Sequence, residues 1–307
     1  MLEAFQQLVV LLILMGAGVW LAKEGILNDT FLEGLNQFLI QFTLPCMLFN
    51  AMLREYTQEL MHNSLVLIGI SVVSYGLLCS FAELWGRRSR LGRQTAGLYQ
   101  FMLVNGNTGF LGFPVIQAVA GDLALFYSNM FCITQTVLMY TYGLYAVSRG
   151  SSKSITWKRM LSSRPLLATI LGLIVFVTQI PLPYVITRPI AWVGNMTIPI
   201  SLLIVGAWLS KCKIRELFHP VGIWVLSILR LFVLPAVVTV VLYLCGARDL
   251  ILMVPAVMMG TPVALLAENF AMEYKNDCLI AGKGIMLSNL LSVVTLPVLV
   301  TILMAIA

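Results

Sequence analysis

Two polar stretches interrupt long apolar segments of this chain, and their residues could bind a small ion without any ionised side chain. The first stretch spans residues 105–114 and reads NGNTGFLGFP, and the second spans residues 259–264 and reads MGTPVA. Glycine and proline open a helix, and the N–H and C=O groups so freed are tolerated in a membrane only inside protein or beside a wet cavity. A matched pair of such breaks is typical of the substrate site of a transporter.

The neutral residues at the two breaks are the first candidates for ligand binding, because the start of a half-helix carries about half a positive charge and favours an anion. They are Asn105, Asn107, Thr108, Gly109, Phe110, Thr261, Pro262 and Val263. The helix breaks themselves are assigned to Gly106, Pro114, Gly260 and Pro262. Secondary candidates on other predicted helices are Asn50, Gln135, Ser288 and Asn289. Two alternatives stay open: glycine and proline that only kink packed helices, and polar residues that only join helices by hydrogen bonds.

Four ionisable residues lie inside or at the edge of apolar segments, where charge is costly and usually functional. Arg230 could attract an anion, or it could bond to carbonyl oxygens as a brace. Lys283 could reach the cavity or extend to the cytoplasmic surface. Glu268 is the candidate for proton coupling if it is protonatable, and is otherwise a surface carboxylate. Glu83 lies four residues before Arg87, which predicts an ion pair at the membrane edge.

The composition is that of a membrane protein, because 60% of the 307 residues are hydrophobic and only 10% are charged, with a mean hydropathy of +0.94. Soluble domains carry about 25% charged residues. A run of about 20 apolar residues crosses the hydrocarbon core as a helix. The predicted spans, numbered 1 to 10, lie near residues 4–23, 30–53, 64–85, 95–120, 123–147, 164–181, 187–210, 219–245, 250–272 and 278–305. We therefore predict an all-α, multi-pass integral membrane protein in which spans 4 and 9 are broken.

The basic residues predict a membrane topology and not a nucleic-acid partner, although the net charge is +6. If the N-terminus is outside, the only basic loop residues on the outer side are Arg54, Arg188 and Arg248. Cytoplasmic loops carry the excess of Lys and Arg, so both termini are predicted outside. The basic residues that would then lie inside are Lys23, Arg87, Arg88, Arg90, Arg93, Arg149, Lys153, Lys158, Arg159, Arg164, Lys211, Lys213, Arg215 and Lys275.

The sequence predicts no cofactor, no metal site and no enzymatic activity. The six cysteines are scattered without a CxxC pair, and the chain has only two histidines, which disfavours metal binding and a disulfide framework. We find no phosphate-binding glycine loop, and no carboxylate pair or nucleophile with a base at matched depth in the membrane.

The chain is predicted to be an internal duplication. A shift of about 155 residues aligns Asp122 with Asp277 and the break at Gly106 with Thr261. Each half then holds an odd number of spans, so that the two halves insert with opposite orientation. We predict repeat 1 over residues 1–150, a cytoplasmic connector over residues 151–162, and repeat 2 over residues 163–307.

Several short motifs follow one another in a specific order over nearly the whole chain. They are LPCMLF at 44–49, GFLGFP at 109–114, SRP at 163–165, LGL at 171–173, IPISLL at 198–203, LRL at 229–231 with Pro235, TPVA at 261–264, LSNLLS at 287–292 and TLP at 295–297. In this order they resemble the auxin efflux carrier family in its compact bacterial form, related to plant PIN carriers and to malonate- and malate-type permeases.

That resemblance implies a PIN-like or bile-acid-symporter-like fold, with ten transmembrane helices in two inverted five-helix repeats and broken helices 4 and 9 crossing at the bilayer centre. It also implies an elevator-like cycle, a homodimer, and a place in the cytoplasmic (inner) membrane of a bacterium. We therefore expect a secondary transporter of a small organic anion, either a dicarboxylate or an aromatic carboxylate, with coupling to H+ or Na+ left open. The alternative is a ligand-binding membrane sensor or a channel-like anion pathway without alternating access.

Overall fold

The structure is a computed structural model that describes residues 2–89, 91–149, 163–210 and 221–306. Within these ranges the regular structure is helical, apart from one isolated bridge between two backbone segments. The helices are α1 Leu2–Lys23, α2 Asp29–Phe38, α3 Leu44–Met52, α4 Gln58–Arg88, α5 Arg93–Val104, α6 Phe113–Leu138, α7 Leu144–Val147, α8 Arg164–Thr178, α9 Tyr184–Asn195, α10 Thr197–Ser210, α11 Val221–Ile228, α12 Leu234–Leu244, α13 Asp249–Met259, α14 Leu266–Glu273 and α15 Cys278–Ile306.

Part of the topology prediction lies outside the described residues. This applies to the predicted connector, residues 151–162, and to several of the basic residues assigned to the cytoplasmic side. Those basic residues are Arg90, Lys153, Lys158, Arg159, Lys211, Lys213 and Arg215.

The described helices are long and apolar enough for a membrane protein. Five helical stretches meet the length and hydropathy of a membrane span, namely Gln58–Arg88, Thr108–Val147, Tyr184–Ser210, Val221–Leu244 and Cys278–Ile306. Shorter apolar helices are Val9–Lys23, Arg164–Thr178 and Asp249–Met259. Large apolar side chains on several of these helices are exposed, for example those of Leu77 and Leu244. Such surfaces suit contact with lipid tails. The chain is therefore a helical integral membrane protein, whereas the ten spans and the inverted repeat remain predictions.

Prolines widen the helices at three places. The wide, π-helical turns Leu39–Thr43, Thr108–Gly112 and Leu229–Val233 precede Pro45, Pro114 and Pro235 respectively. Proline has no N–H, so the carbonyl four residues earlier loses its usual helical partner. At the third turn, the N–H of Leu234 accordingly donates to the carbonyl of Leu229, five residues back. This turn carries Arg230, and π-helical turns of this kind often occur at functional sites.

Gly121 divides α6 at the predicted boundary between spans 4 and 5. Its φ of 77° and ψ of −172° are not helical, and the chain bends there within Phe113–Leu138. Only glycine adopts this conformation at little cost, because it has no Cβ.

The described residues form two compact units that alternate along the chain. The first unit contains those within Met1–Val66, Gly109–Met130 and Leu161–Cys212. In it, α1 packs closely against α10, since a Cβ on Gly18 would overlap the carbonyl of Leu203, and a Cβ on Gly206 would overlap that of Met15. Glycine at both contacts lets the two backbones approach, as is common between membrane helices.

The second unit contains the described residues within Leu67–Thr108, Phe131–Met160 and Lys213–Ala307. In it, α5 packs against α7, and α11 packs against α15. Gly97 makes the first contact close, because a Cβ there would overlap the carbonyl of Ala146. Each predicted half of the sequence contributes to both units, so the units are not the two halves. Residues 105–107 and 260–265, which interrupt the helices, both belong to this second unit.

Candidate functional site

The two interrupted segments lie against each other in the second unit. Residues 105–107, called here the first break, follow the end of α5, and residues 260–265, the second break, separate α13 from α14. Gly106 lies opposite Val263 in an antiparallel bridge. The N–H of Asn107 donates to the carbonyl of Pro262 at 2.7 Å, and the N–H of Ala264 donates to the carbonyl of Asn105 at 3.0 Å. The breaks therefore satisfy part of each other's backbone, and we call this paired arrangement the crossing.

Gly106 is the point of closest approach in the crossing. A Cβ at this position would overlap both the guanidinium of Arg230 and the hydroxyl of Thr261. Thr261 turns its hydroxyl back to the carbonyl of Met258 at 2.8 Å and so caps the end of α13. Gly260 is the capping residue of the same helix. The predicted residues Gly106, Gly260 and Thr261 thus lie in the crossing, and glycine at 106 is required by space.

Arg230 brings a positive charge to the crossing. Its side chain is 1% exposed, and its Nη1 donates to the carbonyl of Leu103 in the last turn of α5. The negative end of the α5 dipole favours a cation at this place. Between described residues, the ion pairs are those of Glu83 with Arg87 and with Arg149, and neither includes Arg230. Its Nε is buried and meets no acceptor in the described part of the chain.

Gln135 and Tyr75 reach the first break from two other helices. The side-chain amide of Gln135 donates to the carbonyl of Gly106 at 2.8 Å. The hydroxyl of Tyr75 donates to the amide oxygen of Gln135 at 2.9 Å. Gln135 was a secondary candidate from the sequence, whereas Tyr75 was not predicted, because no spacing in the sequence links it to a residue 60 positions away.

Ser288 and Asn289 come from α15 to the second break. The hydroxyl of Ser288 accepts from the N–H of Val263 at 3.0 Å and donates to the carbonyl of Ile285 at 3.1 Å. The amide nitrogen of Asn289 also donates to the carbonyl of Ile285, at 2.8 Å. Both side chains are buried. Ser288 therefore touches the broken backbone directly, and Asn289 lies beside it on the same helix.

Two carboxamide oxygens at or beside the crossing, those of Asn105 and Asn289, have no donor among the described residues. The nitrogen of Asn105 donates to the carbonyl of Phe101 at 3.1 Å, but its Oδ1 is buried and accepts no hydrogen bond from them. The same holds for Oδ1 of Asn289. An unsatisfied buried oxygen costs about 1–3 kcal/mol. These atoms can accept hydrogen bonds from a ligand that carries hydroxyl or protonated groups.

Other predicted residues are placed elsewhere. Gly109, Phe110 and Asn50 belong to the first unit, where the ring of Phe110 lies 5.7 Å from that of Trp208. Thr108 begins the wide turn after the first break and makes a side-chain hydrogen bond with Cys132.

Pro114, one of the predicted break residues, lies in the first turn of α6, directly after the wide turn Thr108–Gly112. It can do so because proline in a first helical turn needs no N–H partner. Glu268 is exposed on α14, and Lys283 is half-buried on α15.

The predicted ion pair of Glu83 with Arg87 is confirmed at 3.2 Å. A shorter contact, 2.6 Å to Arg149, was missed because the two residues are 66 positions apart. Arg149 also donates to Gln100 at 3.0 Å. Burial alone would disfavour its charge, but the hydrogen bond and charge of Glu83 outweigh this and raise the pKa of Arg149 above its ordinary value. This cluster joins the end of α4 to α5 and to the residues after α7.

Comparison with known proteins agrees with the membrane character and the broken helices. The profile of the family described as membrane transport protein matches residues 3–300. The chain belongs to this membrane transport protein family. The family includes the auxin efflux carriers, so the resemblance found in the sequence motifs is confirmed.

Two archaeal relatives are similar over nearly their whole length. An uncharacterized transporter of Methanothermobacter thermautotrophicus is 30% identical over 292 residues, which are 93% of this chain and 94% of the relative. An uncharacterized transporter of Methanocaldococcus jannaschii is 25% identical over 299 residues, 94% of each chain. Membership of the family identifies the chain as a membrane transport protein and points away from an enzyme.

Proposed function

We propose that this transporter carries a small organic anion, a dicarboxylate or an aromatic carboxylate, and binds it at the crossing. It would do so as a secondary transporter in the cytoplasmic membrane of a bacterium, by elevator-like alternating access and as a homodimer. The binding groups are the side chains at the two breaks together with Arg230, Ser288 and Asn289.

The observation that carries the proposal is the buried charge of Arg230. A guanidinium that is 1% exposed and has no carboxylate partner among the described residues is energetically costly. An anionic substrate supplies the missing charge, and Arg binds carboxylates well because its donors form a planar fork. The hydroxyl of Thr261 and the amide nitrogen of Asn105 already donate to backbone carbonyls, so these two side chains offer acceptor oxygens, which suit a hydroxyl group of the substrate and not its carboxylate. A single formal charge allows release, because it holds the anion less tightly than several charges would.

The location of the crossing suits a mechanism in which the site is carried as one body. The first break, the second break, Arg230, Gln135 and Ser288 all belong to the second compact unit. Their mutual hydrogen bonds can therefore persist while this unit moves. This supports an elevator-like cycle, in which the hydrogen bonds of the site need not break and re-form each time the unit moves.

The direct test is uptake of labelled carboxylates by purified protein in proteoliposomes. Malonate, malate and benzoate are offered under imposed proton, sodium and voltage gradients, each beside its uncharged amide. Saturable uptake of at least one carboxylate, and none of its amide, is expected. Arg230→Met should abolish uptake, while the control Arg248→Ala should not, because Arg248 is exposed and stacks on Tyr243. Uptake of amides or cations only would refute the anion assignment.

The alternative function, a channel-like pathway or sensor, gives different kinetics in the same liposomes. A carrier exchanges labelled for unlabelled substrate faster than it performs net uptake, and its rate saturates. A channel gives conductance that does not saturate, and a sensor binds ligand without moving it. Accelerated exchange is therefore the result that favours alternating access.

A further inference from the structure

A chain of two hydrogen bonds runs from α4 to the first break. Tyr75 Oη donates to Gln135 Oε1 at 2.9 Å, and Gln135 Nε2 donates to the carbonyl of Gly106 at 2.8 Å. Tyr75 is 0% exposed and Gln135 is 2% exposed, so neither can exchange its partner for bulk water. Because a carbonyl can only accept, the amide of Gln135 turns its NH2 group to Gly106 and its oxygen to Tyr75.

The carbonyl of Gly106 also controls a neighbouring donor. This carbonyl and the N–H of Asn107 belong to one planar peptide unit, so fixing the direction of one fixes the other. The N–H of Asn107 donates to the carbonyl of Pro262 at 2.7 Å, which is one of the two backbone bonds that pair the breaks. Gly106 has no side chain and a wide range of backbone angles. The hydrogen bond from Gln135 therefore restrains the peptide unit between Gly106 and Asn107, which Gly106 alone would leave free to rotate.

We infer that Tyr75 and Gln135 form a positioning relay that sets the affinity of the crossing for its substrate. Gln135 holds the peptide unit between Gly106 and Asn107, and Tyr75 acts through Gln135, whose amide it orients. Gln135 is thus assigned to positioning and not to direct binding of the ligand. The expected effect of the relay on substrate affinity rests on the proposed function. Its expected effect on the backbone at Gly106 does not depend on that function.

Three variants separate the relay from independent packing. Tyr75→Phe removes one oxygen atom, Gln135→Met keeps the size of the side chain without its hydrogen bonds, and the third variant combines both. Tyr142→Phe is the matched control, because it removes the same atom in the same unit. Among the described residues, the hydrogen bond of the Tyr142 hydroxyl is a long one, 3.5 Å, to the carbonyl of Cys79.

The first measurement is hydrogen–deuterium exchange of peptides that contain residues 105–108, on purified protein without ligand. Exchange is expected to accelerate in Tyr75→Phe and Gln135→Met and to be no faster in the double variant than in Gln135→Met. Tyr142→Phe should exchange like the wild type. Unchanged exchange in Tyr75→Phe would overturn the inference, and this result does not depend on any substrate or on the proposed function.

The second measurement is the KM of the carboxylate that the wild type takes up. Loss of one hydrogen bond between membrane helices raises KM by about threefold to 18-fold, while the maximal rate per folded protein stays the same. The double variant should equal Gln135→Met, since the two residues act in series. Additive increases, or a lower maximal rate with unchanged KM, would refute the relay. If Gln135→Met does not fold, Tyr75→Phe alone is tested, again by the exchange rate of residues 105–108 and by KM. Wild-type values of both in this variant would refute the relay.

Discussion

Replacement of Gly106 by alanine tests whether the crossing is as closely packed as its geometry indicates. The added methyl group would overlap the guanidinium of Arg230 and the hydroxyl of Thr261, both of which are buried. Neither group can move freely, because the first is bonded to the carbonyl of Leu103 and the second to that of Met258. Overpacking of this kind costs about 1–3 kcal/mol. This cost is a loss of folding stability, and substrate affinity falls only by the share that bears on the bound state; at about 1.4 kcal/mol for each factor of ten, the upper limit is about 150-fold.

The matched control is Gly109→Ala, three residues further along. There the nearest atom to a new Cβ is Cδ2 of Leu44 at 3.3 Å, the end of a flexible side chain that can shift by a few tenths of an ångström. We expect near-wild-type uptake for the control and a raised KM with a lower thermal unfolding temperature for Gly106→Ala. The assay is uptake of the transported carboxylate in proteoliposomes, with unfolding followed in detergent. Equal KM values for the two alanine variants would refute the packing of the crossing described above.

Four further substitutions separate the site from the rest of the fold. Thr261→Ala and Asn107→Ala should each lower uptake far more than expression; equal losses of uptake and expression would indicate packing alone. Thr169→Val, in the first unit, removes a 2.9 Å hydrogen bond to Asn129. It should cost about 0.6–1.7 kcal/mol of stability and leave KM unchanged, because neither residue lies at the crossing. A changed KM in the uptake assay would contradict this expectation. Glu83→Gln should lower the unfolding temperature, because it weakens the 2.6 Å pair with Arg149. This loss should shrink in high salt, since exposed and partly exposed pairs are screened; a salt-independent loss would exclude the ion pair as its cause.

The sequence predicted the breaks because their signals are local. Glycine, proline and polar residues clustered within an apolar run are visible without any knowledge of the fold, and they predicted interruptions at residues 105–114 and 259–264. The structure interrupts the helices within these stretches, at residues 105–107 and 260–265. The place of Pro114 relative to the helix could not be read from the sequence. A proline in the first turn of a helix and one inside it look alike in the sequence, and only the start of α6 at Phe113 distinguishes them.

The partners of the breaks could not be predicted, because they depend on which helices pack together. Tyr75 lies 60 residues from Gln135, and Arg149 lies 66 residues from Glu83. The sequence left two roles for Arg230 equally possible, because an arginine in an apolar segment can serve as a structural brace or as an anion site. The structure places its guanidinium beside Gly106 and on the carbonyl of Leu103. It therefore acts as a brace for α5 and also holds a positive charge at the crossing.

The most direct test of the central claim is equilibrium binding of matched ligand pairs to the purified protein. Malonate is compared with malonamide, and benzoate with benzamide, on the wild type and on Arg230→Met, with folding of the variant verified by its unfolding temperature. An anion site at the crossing predicts saturable binding of a carboxylate but not of its amide, and loss of that binding in the folded Arg230→Met protein. Equal binding of acid and amide, or unchanged carboxylate binding in the variant, would contradict it.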